Sequence, residues 1–189
     1  KDDQLIFEEK SEAFTVGISL SSDDKYFFIT TSDHNTSEQY YFDVSEKEPK
    51  PKLIKKRKRG ILYSVNSWDG KFYNHTNEKA EDFKIDIADS LEKQDWKTFI
   101  AAKEEVLIGG LTFLNNWIIR SETSDALDKL FVRNIITDTE EELIFSNESV
   151  YVPGVSLVQR DKDTDEIYLG YSSPKTQSRV YSYNLNSKE

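Results

Sequence analysis

Apolar and polar residues alternate in short stretches down this chain, and turn-forming residues separate the stretches. In residues 14–20, Phe14, Val16, Ile18 and Leu20 alternate with Thr15, Gly17 and Ser19, a period of two that predicts a strand with one buried face. A lone strand is predicted ahead of it at 5–8. Strands at 26–31, 39–44 and 52–56 complete a first set, with Pro49 and Pro51 leading into the last as suits a sheet edge. A second set follows the same way at 61–66, 71–76, 82–87 and 96–100, with Asp69-Gly70 as a hairpin turn and a polar loop or single helical turn at 88–95. The third set is predicted at 106–114, 117–122, 129–135 and 142–145, and a fourth at 150–159, 167–172 and 179–185.

These sets recur at a nearly constant spacing. The first large residue after each acidic or amide-rich turn is Tyr26, Phe72, Trp117 and Ile167, giving steps of 46, 45 and 50 residues. The third strand of each set repeats a second signature, an aromatic or aliphatic run closing in Asp43, Asp86, Asn134 or Asn184. A repeat near 45 residues built from four antiparallel strands predicts propeller blades. The expected fold is therefore all-β: a partial β-propeller of about four four-stranded blades at 10–57, 58–103, 104–147 and 148–189. Strands 14–20, 61–66, 106–114 and 150–159 are expected innermost. Four blades fall short of the usual ring and flanking strands are missing at both ends, which predicts a fragment of a larger propeller. The open ends of such an arc favour self-association.

Composition agrees with a β-rich globular chain: 37% hydrophobic, 32% charged, with ten Tyr, eleven Phe and three Trp in 189 residues. No run approaches the roughly 18 apolar residues that span a bilayer and no leader opens the chain, so a cytoplasmic protein with no membrane partner is expected. Zero Cys removes disulfides, thiolate metal sites and a cysteine nucleophile, and zero Met fits a piece of something longer. The net charge of −10 argues against a nucleic-acid partner and favours basic peptides. One basic run, Lys55-Lys56-Arg57-Lys58-Arg59, opposes that trend and reads either as a solvated turn or as a patch for an acidic surface.

No reaction centre is legible. The chain has no Gly-x-Ser-x-Gly elbow, phosphate-cradling glycine loop or His-Glu-x-x-His, and its two histidines, His34 and His75, lie in a turn and near a strand end. Asp161, Asp163 and Asp165 alternate as in a calcium loop, but that pattern needs Gly at its sixth position and Glu at its twelfth, where Ser172 stands; a hairpin tip is expected. The acidic run Glu140-Glu141-Glu142 and the sequons at Asn74 and Asn147 add no site. No catalytic, cofactor-binding or metal-binding residue is therefore assigned.

Several stretches resemble a known family. They are Arg57-Lys58-Arg59-Gly60-Ile61-Leu62-Tyr63-Ser64-Val65, Phe72-Tyr73-Asn74-His75-Thr76-Asn77, Trp96-Lys97-Thr98-Phe99-Ile100, Val106-Leu107-Ile108-Gly109-Gly110-Leu111-Thr112-Phe113 and Tyr171-Ser172-Ser173-Pro174-Lys175-Thr176. In order and separation they are similar to the propeller part of the oligopeptidase B (protease II) branch of the prolyl oligopeptidase family of serine peptidases. The resemblance implies a seven-bladed propeller capping an α/β-hydrolase domain that would follow residue 189 and carry the Ser-Asp-His triad. It implies a non-catalytic role for these residues, limiting access to short peptides that the parent enzyme cleaves after Lys or Arg. The alternative is a propeller module for protein–protein interaction.

Overall fold

The computed structural model of the chain describes residues 3–144, 148–158 and 162–189. Among these, every regular element is a strand. The first sheet holds β1 (Thr15–Leu20), β2 (Tyr26–Ser32), β3 (Ser37–Asp43) and β4 (Lys52–Lys55). The second holds β5 (Tyr63–Trp68), β6 (Lys71–Thr76), β7 (Lys84–Ala88) and β8 (Lys97–Ile100). The third holds β9 (Leu107–Leu114), β10 (Trp117–Ser124), β11 (Leu127–Asn134) and β12 (Thr139–Glu142), and the last β13 (Val152–Leu157), β14 (Glu166–Ser172) and β15 (Arg179–Asn184). Each sheet is an antiparallel meander in sequence order, the blade pattern that the repeat predicts.

Tight turns set the registers. Asp69 and Gly70 both take left-handed φ, 49° and 70°, as a two-residue hairpin loop between right-twisted strands requires. Asp125 and Ala126 do the same between β10 and β11, at 51° and 59°. Ala126 has no side-chain amide to compensate its Cβ there, so it carries the usual left-handed cost.

The chain divides into two compact units, Lys1–Ala102 and Lys103–Glu189. In the first, Phe28, Tyr41 and Ile54 of one sheet share a buried cluster with Tyr63, Val65 and Phe72 of the next and with Leu91 from the loop after β7. Side chains also cross between these sheets. The Tyr63 hydroxyl accepts from Gln39 N–H at 2.8 Å and donates to the Lys55 carbonyl at 2.5 Å, while Gln39 Oε1 accepts from Val65 N–H at 2.6 Å. Burial pushes the Tyr63 phenol up to about 12. In the second unit, Leu114, Ile119, Leu130 and Val132 pack with Ile167, Leu169 and Leu185.

The acidic turns that mark the repeat also tie neighbouring sheets. Asp23 Oδ2 accepts from Ser67 Oγ at 2.7 Å and Ser22 N–H donates to Asn66 Oδ1 at 2.8 Å, each across 44 residues. In the second unit Asp165 Oδ1 accepts from Asn115 Nδ2 at 2.7 Å and from Trp117 Nε1 at 2.8 Å. The third sheet adds a buried ionic cluster. Arg120, with a side chain 4% exposed, pairs with Glu122 and forms a fork to Glu140 at 2.7 and 3.0 Å, and Lys103 closes on Glu122 at 2.7 Å. The Arg120 fork holds the Glu140 carboxyl below its ordinary value against the opposing effect of burial.

Several expectations need correction. Residues 5–8 form no strand; Phe7 instead packs its ring on Tyr40 at 4.7 Å. The alternating face of β1 is not buried: Val16, Ile18 and Leu20 are 52, 63 and 45% exposed, because burial needs another segment to cover that face. The last strand of the third sheet is Thr139–Glu142 and not 142–145, since Phe131↔Glu142 and Asn134↔Thr139 fix its register; Phe145 lies outside the described residues, as does Gln159. β7 begins two residues late because Phe83 sits at φ 66°, a conformation strand pairing excludes. Asp86 does not end that strand: it stays inside it, buried, its Oδ2 2.8 Å from Lys84 Nζ.

Three measurements check these assignments. Ala126→Gly is expected to raise stability by about 0.5–1 kcal/mol in denaturant unfolding. Tyr63→Phe is expected to lower it by about 1–3 kcal/mol, since Gln39 N–H and the Lys55 carbonyl lose a buried partner. Because the folded-state pKa of Glu140 is depressed, its contribution is present above the ordinary glutamate value of 4.5 and is lost as pH falls through the folded value. The acid limb of the stability curve should therefore be shallower in Glu140→Gln, and an unchanged limb contradicts the ionic cluster's role.

Candidate functional site

The ends of the strands in the first unit build a cavity of about 290 Å³ between its two sheets. Three rings line it: Tyr26, which opens β2; Tyr41 of β3, two residues before Asp43, the register partner of Tyr26; and Phe72 of β6. Tyr26 meets Tyr41 edge-on at 6.2 Å between centroids and Phe72 at 5.3 Å. Four carboxylates surround the rings, Asp43 at the end of β3, Glu46 from the turn after it, and Asp89 and Glu92 from the loop after β7. Buried Leu91 anchors that loop.

The electrostatics suit a cation. A hydrogen bond from Ser45 Oγ holds the Asp43 carboxyl below its usual value, and the Lys71 ammonium does the same for Asp89. Burial raises the Tyr26 and Tyr41 phenols, so the rings stay neutral wherever the carboxylates are charged. Lys52 already shows the preference: its Nζ lies 5.9 Å from the Tyr41 ring centroid and 3.5 Å from Glu92. Sequence reasoning missed this cavity because its walls come from four strands and two connections spread over the first unit. The signal was half visible in Tyr40-Tyr41-Phe42-Asp43, the aromatic run that closes in an acid.

The residues weighed from sequence are placed elsewhere. His75 stacks flat on Phe83, 4.6 Å between ring centroids and 20° between planes. His34 lies in the turn between β2 and β3, next to an Asp33 whose Oδ1 accepts the N–H groups of Asn35 and Thr36 at 2.9 and 2.7 Å. Asn74 is 6% exposed within β6, opposite Val65 and Asp86, which withholds its amide from a glycan. Asn147 and Asp161 lie outside the described residues, and Asp165 is bound to Asn115 and Trp117 as above. Among the described residues no three acidic or histidine side chains group so as to hold a metal ion.

The whole chain, residues 1–189, matches the family model described as prolyl oligopeptidase, N-terminal beta-propeller domain. The chain belongs to this propeller family. Its similar relatives include Protease 2 of Moraxella lacunata, 28% identical over 189 residues, covering 100% of this chain and 27% of that protein. Dipeptidyl aminopeptidase BI of Pseudoxanthomonas mexicana is 27% identical over 190 residues, covering 99% of the chain and 26% of the relative. The propeller thus spans about a quarter of the length of the curated relatives it matches. Among solved structures, oligopeptidase B from Trypanosoma brucei with covalently bound antipain superposes with a TM-score of 0.89 at 23% identity, over 97% of this chain and 28% of that one. Oligopeptidase B from Leishmania major gives 0.84 at 17% identity, over 97% and 27%. These likenesses agree on the fold: consecutive antiparallel blades of a propeller.

Proposed function

We propose that these residues form the access-limiting propeller wall of an oligopeptidase B-like serine peptidase whose catalytic α/β-hydrolase domain lies elsewhere in the protein. Each sheet with its connections, residues 10–57, 58–103, 104–147 and 148–189, counts as one blade. The observation that carries the reading is the family match over the full chain, combined with a span of about a quarter of relatives that include a protease. A ring of packed sheets is stiff, and a stiff wall around a reaction chamber admits a flexible short peptide while excluding a folded domain. The substrates are short peptides cleaved after Lys or Arg, and the parent enzyme works in the cytoplasm. The acidic aromatic cavity supports the preference for basic peptides, offering carboxylates and ring faces to a guanidinium or ammonium group.

Two assays test this reading. The 189-residue chain alone is expected to show no turnover of a fluorogenic peptide ending in Arg, and turnover abolished by a serine-directed inhibitor would place the reaction centre within these residues. In the full-length protein, Asp43→Asn combined with Glu92→Gln should lower kcat/KM for basic peptides by about threefold at low salt. That loss should fade near 1 M salt, where screening acts over about 3 Å.

A further inference from the structure

Opposite the acidic cavity, at the far end of β2, the first unit carries a cavity of inverse character. We propose that this basic end is a carboxylate-binding site for peptides, formed by His34, Asn35 and Arg59 beside Phe14 and the Glu9-bound Arg57. Its volume, about 460 Å³, is within the range of small-ligand pockets. The gate reading is not required for it, since the site belongs to the first unit alone.

Two connections converge to make the walls, the turn from β2 to β3 and the link from β4 to β5. They are fastened to each other: Gly60 N–H donates to Thr36 Oγ1 at 3.2 Å and Ser37 N–H to the Ile61 carbonyl at 3.1 Å. Arg57 is fixed more firmly still. Its backbone N–H donates to Glu38 Oε2 at 2.8 Å, and its guanidinium lies 4.1 Å from the Phe14 ring centroid. The same guanidinium grips Glu9 through both terminal nitrogens, at 2.7 and 3.3 Å. That fork holds the Glu9 carboxyl below its usual value, and the Glu9 side chain is only 8% exposed.

The lining is rich in donors and poor in free acceptors. Asn35 spends its Oδ1 on the Thr36 hydroxyl at 2.8 Å, which leaves the amide NH₂ as its donor. Asp33 is the one carboxylate of the lining, and its Oδ1 already accepts two backbone N–H groups. Arg59 is exposed, and the exposed Lys56 and Lys58 beside it strengthen the positive field on a chain of net charge −10. Glu9 shows the chemistry in place: a carboxylate held by a forked guanidinium braced on an aromatic face. Lys55 takes no part, being paired with Glu78. The basic run is thus divided, with Lys55 and Arg57 bound internally and Lys56, Lys58 and Arg59 facing solvent.

A peptide carries this group either at its C-terminus or on Asp and Glu side chains. Both sources are distinguished by titrating the 189-residue chain and following the His34 ring protons by NMR, with His75 as internal reference. The probes are acetyl-trialanine with a free acid, acetyl-Ala-Glu-Ala amide, and acetyl-tetraalanine amide. Saturable shifts of His34 are expected with one or both acids and not with the uncharged amide; the tighter acid identifies the source. Arg59→Ala should weaken binding by about tenfold and Arg59→Lys should restore part of it. Glu9→Gln, which releases Arg57, should tighten binding by about threefold. A thermal melt of each variant confirms that it is folded. Equal response to the neutral amide, no saturation by either acid, or affinity unchanged in folded Arg59→Ala would overturn the proposal.

Discussion

Burial of apolar faces between consecutive sheets is the constraint on which the rest of the structure depends. A single four-stranded meander has two faces and cannot cover either with its own side chains. Phe28, Tyr41 and Ile54 leave water only because Tyr63, Val65 and Phe72 of the following sheet meet them, and Leu130 and Val132 rely in the same way on Ile167 and Leu169. At roughly 25 cal/mol per Å² of apolar surface, such a layer outweighs any single hydrogen bond in the molecule. Once the sheets must stack, strand length, turn type and the spacing of the repeat are all constrained together.

Polar groups then fix how each pair of sheets registers. Asp23 with Ser67 in the first unit, and Asp165 with Asn115 and Trp117 in the second, join turns that the repeat places 44 to 50 residues apart. A buried carboxylate left unpaired is costly, so a slipped stacking would forfeit these bonds as well as apolar contact. Tyr63 has the same effect at mid-sheet, where one hydroxyl serves a donor and an acceptor of the neighbouring blade. The acidic turn, visible first as a sequence marker, is a mortise between blades.

Charge is sorted along the strands of the first unit. The end that carries Tyr26, Asp43 and Asp89 gathers carboxylates over aromatic rings; the end that carries Asp33, Arg57 and Arg59 gathers cations over Phe14. β2 spans seven residues, so the two ends are separated by about 20 Å. The net charge of −10 conceals this separation. The first unit thus offers one end suited to cations and the other to carboxylates.

Alternation with a period of two, the positions of turn residues and a spacing near 45 determined the strands, their meander order and the propeller class, because these depend on local backbone chemistry. Resemblance across those same stretches pointed to the family. The tertiary structure decided what a one-dimensional pattern does not encode. Alternation in β1 is as regular as in any strand, yet its apolar side chains face solvent, since burial depends on what another segment brings to that face. Likewise the five basic residues 55–59 read alike in sequence, but Glu78 and Glu9, distant in the chain, bind Lys55 and Arg57 and leave the others free to act outward. Both cavities arise from connections far apart in sequence, and only packing of the sheets brings their side chains together.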